Sequence, residues 1–300
     1  MLIIRGAAVV SLEFIIRIAV FSTIFLVLVF IYWQLFQFIW VRFIKRKRGI
    51  QLLVLATIAS ITTFFLSSFF YVYNGFGHQP DIYRSGSPLS NMIAITFDDG
   101  PSIDFTPAIL DILKEHDVPA TFFMVGSHVE KYSEIAQRIV NDGHEVGNHT
   151  HNHSNIPMLS TVSLHKEMME ATAAITEITG VYPLYIRPPR GMYDGRFRRL
   201  ANLLGQKIVL WTLSTRDWRY GVTPEKIVKS VTNKVKGGDI ILFHDSGALI
   251  KNEGGDRQAT VIALPQVIEA IRSKGLEIVP LSVLLDDAPT ELFPQVDMPE

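Results

Sequence analysis

Between residues 91 and about 285, short β-rich runs alternate with amphipathic stretches, and this alternation leaves few architectures open. Apolar, β-branched runs at 93–97, 120–125, 145–147, 184–187, 208–213, 240–243 and 277–280 read as strands. Residues 127–143 place Val129, Tyr132, Ile135, Ala136, Ile139 and Val140 on one helical face and stop at Gly143. Residues 223–238 open on Thr223 and Pro224, bury Ile227, Val228, Val231 and Val235, and close at Gly237 and Gly238. Further helices are expected over 106–116, 161–179, 195–204 and 258–273. Parallel strands need crossovers long enough to hold a helix, so the pattern specifies an α/β fold with a mostly parallel sheet, closed into a barrel or doubly wound. The chain's 300 residues suffice for one α/β barrel domain, and no internal repeat is visible.

The first quarter of the chain has a different character. No charge lies between Arg17 and Arg42, or from Gly49 through Pro80. Both stretches exceed the roughly 20 apolar residues that cross a bilayer, so transmembrane helices are expected at about 18–41 and 50–73. Tyr32, Trp33, Trp40, Tyr71 and Tyr73 suit interfacial belts. A cleaved signal peptide fits poorly, because the first run is too long and has no small-residue cleavage pattern. A buried core hairpin would need a polar face that neither run has. Arg42, Lys45, Arg46, Lys47 and Arg48 form a short basic loop between the runs, which places that loop in the cytoplasm and residues after 73 outside. The expectation is a two-pass cell-membrane protein with its main domain on the extracytoplasmic side.

Seven of the 28 basic residues and one of the 29 acidic residues fall in 1–49, leaving the remainder 21 basic against 28 acidic and a formal charge of −7. That balance argues against a nucleic-acid surface. Residues 74–90 are rich in Gly, Pro and Ser and read as a linker, and residues 286–300 as an acidic, proline-broken tail. The chain has no cysteine, so disulfides say nothing about compartment. Oligomeric state is not legible.

Polar, titratable residues gather just after the expected strands: Asp98 and Asp99, the cluster His149, His151 and His153, Arg187, Asp217, and His244. In a parallel barrel those ends share one face, the one that carries chemistry. Spacing of two puts alternate histidines on one side of an extended segment, and two imidazoles with one carboxylate make a facial metal site with open positions. A divalent cation would also compensate the adjacent acids of "TFDDGP" (96–101), where the Gly100–Pro101 break lets both approach one cavity. One carboxylate can bind the metal and the other accept a proton. Arg187 can hold that carboxylate ionised. His244 can serve as a general acid, with Asp217 raising its pKa, and Trp218 offers an aromatic face.

Together, "TFDDGP", the His-Thr-x-x-His run at 149–153 with the third residue also histidine, "RPPRG" (187–191), "RDW" (216–218) and "LFH" (242–244) resemble the five ordered motifs of the NodB-type polysaccharide deacetylases, carbohydrate esterase family four. The resemblance spans about residues 91–285. It implies a distorted, partly open (β/α) barrel and metal-dependent removal of N-acetyl groups from amino sugars, with zinc as the metal and cobalt or nickel as alternatives. Carried over by position, it makes Asp98 the base, Asp99, His149 and His153 the metal ligands, Arg187 the residue orienting the base, and His244 the acid with Asp217 as its partner. It makes the Arg190 amide part of the oxyanion site and Leu242 part of the acetyl-methyl pocket, and leaves His151 outside the ligand set. Two departures stand out: Ser214 replaces the first Asp of the usual Asp-x-x-Asp-Trp, and Arg190 stands where an aromatic residue is common. The substrate implied is an N-acetylated glycan, peptidoglycan N-acetylglucosamine first and chito-oligosaccharide next. An O-acetyl polysaccharide esterase and an inactive membrane-tethered glycan-binding module are the alternatives.

Overall fold

The computed structural model describes residues 81–247 and 255–286 without a break, with scattered helical positions between Ile15 and Gln37 and between Val54 and Leu66. The chain divides into two compact units. The first is Met1–Gly77 with Asn155–Leu164 and Met192–Gly195, and the second takes in the rest. In the first unit the rings of Phe25 and Phe64 stack 3.9 Å apart, while Leu26, Phe30, Trp33, Phe65 and Leu66 are exposed. Among the described residues, no helix is long and apolar enough to cross a membrane. Much of the expected spans 18–41 and 50–73 lies outside the described residues, as do the basic loop and the tail after Asp286.

The second unit is built on a nine-stranded, all-parallel sheet. Its strands are β1 (Ile82–Tyr83), β2 (Met92–Asp98), β3 (Thr121–Met124), β4 (Glu145–Asn148), β5 (Tyr185–Ile186), β6 (Lys207–Val209), β7 (Leu213–Ser214), β8 (Ile240–His244) and β9 (Glu277–Ile278). The order is β1-β6-β5-β4-β3-β2-β8-β7, with β9 pairing the start of β2. Helices α1 (Thr106–Glu115), α2 (Gly126–Lys131), α3 (Ser133–Asn141), α4 (Thr161–Thr179), α5 (Gly195–Leu203), α6 (Pro224–Thr232), α7 (Gln258–Ser273) and α8 (Leu281–Asp286) supply the connections. This is a distorted half-barrel of parallel strands.

Three elements differ from the sequence expectation. Ile82–Tyr83, inside the stretch read as a linker, pairs with Ile208 and Val209 as an edge strand. The run 208–213 breaks into β6 and β7, because the carbonyls of Val209 and Leu210 accept hydrogen bonds from the Arg187 guanidinium and the Leu210 amide turns to Tyr83. The helix expected over 127–143 is two helices, parted where Tyr132 (φ −124°, ψ 49°) leaves the helical region. Both halves bury the same face, through Val129 and then Ala136 and Ile139, so periodicity could not reveal the break.

Alternation along β2 separates two cores. Ile93, Ile95 and Phe97 face the helices, where Phe97 packs on Phe122 (5.0 Å) and Phe243 (5.6 Å), together with Ile109, Leu113, Ile227 and Leu264. Ala94 lies in the opposite cluster with Phe123, Val209 and Ile240. The same alternation sends Thr96 and Asp98 to that inner side, paired in register with Leu242 and His244. The strand that forms the centre of the hydrophobic core therefore also delivers the site's acids.

Candidate metal centre and acid–base site

At the C-terminal end of β2 the chain turns sharply. Asp99 takes φ +79°, a left-handed conformation rare for a residue with a side chain. Neighbours on a strand would point to opposite faces, and this turn is what brings the Asp99 carboxylate to the same cavity as that of Asp98. Left-handed φ values recur at the other strand ends around the site: Thr150 (65°) and His153 (52°) after β4, Arg190 (58°) after β5 and Arg216 (58°) after β7. Such strain costs of order 1–3 kcal/mol per residue and persists where the surroundings over-determine it.

Asp99, His149 and His153 are all buried, and each offers a donor atom within 4.8 Å of the others. Asp99 Oδ1 lies 3.3 Å from Nε2 of both His149 and His153, and the two imidazole centroids are 5.1 Å apart. His149 Nδ1 lies 2.8 Å from the Arg187 carbonyl, so Nδ1 carries the proton and donates it, and the lone pair of Nε2 faces Asp99. Burial above all drives the His153 pKa down to about 3, against the pull of Asp99, and keeps that ring neutral. Burial alone would raise the Asp99 carboxyl. The contact with His149 and the charge of nearby His244 outweigh that and hold it well below the usual carboxylate range. Asp99 Oδ1 is buried without a hydrogen-bond partner. An ionised oxygen, orphaned and facing two ring nitrogens, is a donor set that fits a divalent cation.

His151, between the two ligands in sequence, points elsewhere: its Nε2 is 4.0 Å from Glu130. Glu167 of α4 fastens the loop that carries the histidines. It accepts hydrogen bonds from the Asn152 amide (2.8 Å), the Asn152 side chain (3.0 Å) and the Ser154 hydroxyl (2.9 Å). His128 Nδ1 reaches the Asp99 carbonyl at 2.9 Å, and Asn148 Oδ1 accepts from the Thr150 amide at 2.7 Å. None of these supports carries a local sequence signal.

Asp98 Oδ1 accepts a 2.6 Å hydrogen bond from Arg187 Nη1, which also donates to Thr96 Oγ1 at 2.9 Å. The guanidinium is fully buried, lies 3.9 Å over the Phe123 ring, and spends its other donors on the carbonyls of Val209 and Leu210. The other oxygen of Asp98 is 3.8 Å from His149 Nε2, which places Asp98 beside the triad.

Across the site, His244 Nδ1 lies 2.7 Å from Asp217 Oδ1. Asp217 Oδ2 accepts from the His244 amide (2.8 Å) and the Thr260 hydroxyl (2.9 Å). Burial would depress His244, but Asp217, with help from Asp99 and Asp98, pushes it up to about 9. Burial would raise Asp217, and the charge and hydrogen bonds of His244 outweigh it. Leu242 is buried two residues before His244, with its side chain on the same inner side. Trp218 is half-buried beneath Arg219, whose guanidinium sits 5.5 Å over its ring. Arg190 occupies a short turn, Pro189–Gly191, and its exposed side chain lies near enough for its charge to lower His153. Ser214, at the departure noted above, accepts from the Arg216 amide at 3.3 Å.

A parallel half-barrel, an Asp–His–His triad, an Arg-held carboxylate and an Asp-held imidazole at one rim define a metal-dependent hydrolase of acyl groups. Comparison with known proteins makes the class specific. Residues 85–209 match the polysaccharide deacetylase family. A peptidoglycan-N-acetylglucosamine deacetylase of Bacillus cereus is 36% identical over 189 residues, 63% of this chain and 66% of that protein's length. A chitooligosaccharide deacetylase of Bradyrhizobium sp. is 36% identical over 198 residues, 64% of this chain and 90% of that protein. A solved peptidoglycan N-acetylglucosamine deacetylase superposes with a TM-score of 0.65 at 34% identity, covering 69% of this chain and 94% of that one. The chain belongs to the polysaccharide deacetylases, carbohydrate esterase family four.

Proposed function

We propose that the protein hydrolyses N-acetyl groups of amino sugars in peptidoglycan, with chito-oligosaccharides as the next substrate class. The observation that carries this reading is the buried triad Asp99–His149–His153 set beside Asp98 and opposite His244. Asp99, His149 and His153 would hold a divalent cation, whose Lewis acidity would favour attack on the acyl group by water at neutral pH. Asp98, held in place by its hydrogen bond from Arg187, accepts the proton of the attacking water as the water oxygen closes on the acetamide carbon. The Arg190 backbone amide helps hold the developing oxyanion, and Leu242 lines the pocket for the acetyl methyl. His244 is protonated at neutral pH and gives its Nε2 proton to the amine as the C–N bond breaks, leaving acetate and a free amino sugar. Trp218 offers the sugar ring an apolar face. Zinc suits two imidazoles and a carboxylate, as do cobalt and nickel.

The similar proteins support an N-acetyl rather than an O-acetyl substrate, and the complete set of acid, base and ligands weighs against a binding-only module. The test is acetate release by the full chain from peptidoglycan, chito-oligosaccharides and O-acetylated glycans, with and without chelator. Turnover of O-acetyl substrates alone, or of none, would overturn the proposal.

For the N-terminal part, we propose that 18–41 and 50–73 span the cell membrane and leave the catalytic domain outside, where a cell-wall polymer is within reach. Their lack of charge, the Phe25–Phe64 stack and the apolar side chains exposed along both segments support it.

A further inference from the structure

One buried carboxylate at the site has no part in the chemistry above. Asp245 follows His244 at the end of β8 and is 1% exposed. Its amide donates to the Asp98 carbonyl at 3.2 Å, so β8 tracks β2 to the point where the chain turns at Asp99. Its side chain then occupies the space beneath the turn. A Cβ on Gly100 would stand 2.1 Å from Asp245 Oδ2 and 2.4 Å from its Cγ, so only glycine fits there. Oδ2 accepts the Thr106 hydroxyl at 2.7 Å, while Thr106 Oγ1 accepts the Ser102 amide at 2.7 Å. The Ser102 hydroxyl donates back to the Asp245 carbonyl at 2.6 Å. Ser102 and Thr106 are themselves buried. The segment that leaves the site, from Gly100 to the first turn of α1, is thus fastened to the single residue that follows β8.

This arrangement answers a question the Asp99 geometry raises. A left-handed residue is held only if the chain on both sides of it is fixed. β2 fixes the side before Asp99, and the ring of contacts through Asp245, Thr106 and Ser102 fixes the side after it. Resting on the assignment of the triad as a metal centre, we infer that Asp245 is a positioning residue. By filling the space under Gly100 and anchoring Thr106, it holds Asp99 in the turn that aims its carboxylate at His149 and His153.

The test is Co²⁺ binding to the full chain, read by titration and by the visible absorption of the bound ion, whose shape reports ligand geometry. Folding is checked by circular dichroism. Asp245→Asn keeps the shape and an oxygen for Thr106, and should bind Co²⁺ within about threefold of the parent with the same spectrum. Asp245→Ala empties the space and should weaken binding roughly tenfold or more and alter the spectrum, in line with the 10–100-fold typical for groups that orient ligands. If Asp245→Ala does not fold, Thr106→Val and Thr106→Ser decide the matter. Valine should weaken binding and change the spectrum, and serine should restore both. Unchanged Co²⁺ affinity in folded Asp245→Ala or in Thr106→Val would overturn the inference, and so would equal loss in the Asn and Ala variants. Failure of the parent itself to bind Co²⁺ would overturn the metal-centre assignment and this inference with it.

Discussion

Arg187 Nη1 lies 2.6 Å from Asp98 Oδ1, and both side chains are almost entirely withdrawn from water. The pair is embedded rather than isolated: the same guanidinium serves Thr96 and the carbonyls of Val209 and Leu210. Removing one partner of such a pair leaves the other charge buried, at a cost of about 3–5 kcal/mol. Arg187→Met should therefore lower the unfolding free energy by that order in denaturant titration and abolish acetate release. Asp98→Asn should also abolish acetate release while metal content stays at the parent level. Retained turnover in Asp98→Asn would remove it from the base role.

His244 and Asp217 set the alkaline limit of activity. With His244 pushed up to about 9 by Asp217, the proton needed by the departing amine is present at neutral pH and lost as pH rises through about 9. Asp217→Asn should shift the falling limb of the rate–pH profile toward lower pH, and an unshifted limb would contradict the assignment. The stability linkage has the same sign. The folded pKa lies above the unfolded value of about 6.5, so the pair's stabilisation is complete below that value and fades as pH climbs through about 9.

The three clustered histidines should separate cleanly. His149→Ala and His153→Ala each remove a donor from the triad and should lose bound metal in the purified protein. His151→Ala should keep the parent stoichiometry, because its ring faces Glu130 rather than Asp99. Elemental analysis after gel filtration distinguishes them, and metal loss in His151→Ala would contradict the geometry.

His144, far from this chemistry in role, predicts acid sensitivity. Both ring nitrogens are buried without partners, and the ring packs on Phe122 with centroids 5.5 Å apart. Burial lowers its pKa, and Arg138 adds to that against the opposing charge of Asp142. The unfolded chain then binds a proton more readily than the folded one, so stability falls as pH drops below about 6.5. His144→Phe should flatten that part of the stability–pH curve. An unchanged acid limb would argue against a buried neutral ring.

Topology can be read directly, because the chain has no native cysteine. A single cysteine at Ser85 should react with an impermeant maleimide in intact cells, and one at Lys45 only after lysis. The reverse pattern would overturn the outside placement of the catalytic domain.

Much of the site was legible in the chain because parallel strands put their C-terminal ends on one face. Asp98, Asp99, His149, Arg187, Asp217 and His244 each follow a β-rich run, and local periodicity is enough to place them there. The helices α4 and α7 were equally plain, since their amphipathic faces run unbroken over several turns. Glu167, Thr260, Thr106 and Asp245 were not legible as parts of the site. Their partners across the site lie 13 to 143 residues away in the chain, and no local pattern encodes such a meeting.

The left-handed turn at Asp99 belongs to the same category. The Gly100–Pro101 break allowed the two acids to be expected in one cavity, but the left-handed backbone that brings them there is held by packing around Gly100. The order of residues alone determined which chemical groups arrive at the rim, because hydrophobic alternation and strand ends are local properties. The tertiary structure decided which of those groups touch, since an orphaned carboxylate oxygen, a proton fixed on one imidazole nitrogen and a buried guanidinium exist only once distant segments have excluded water from between them.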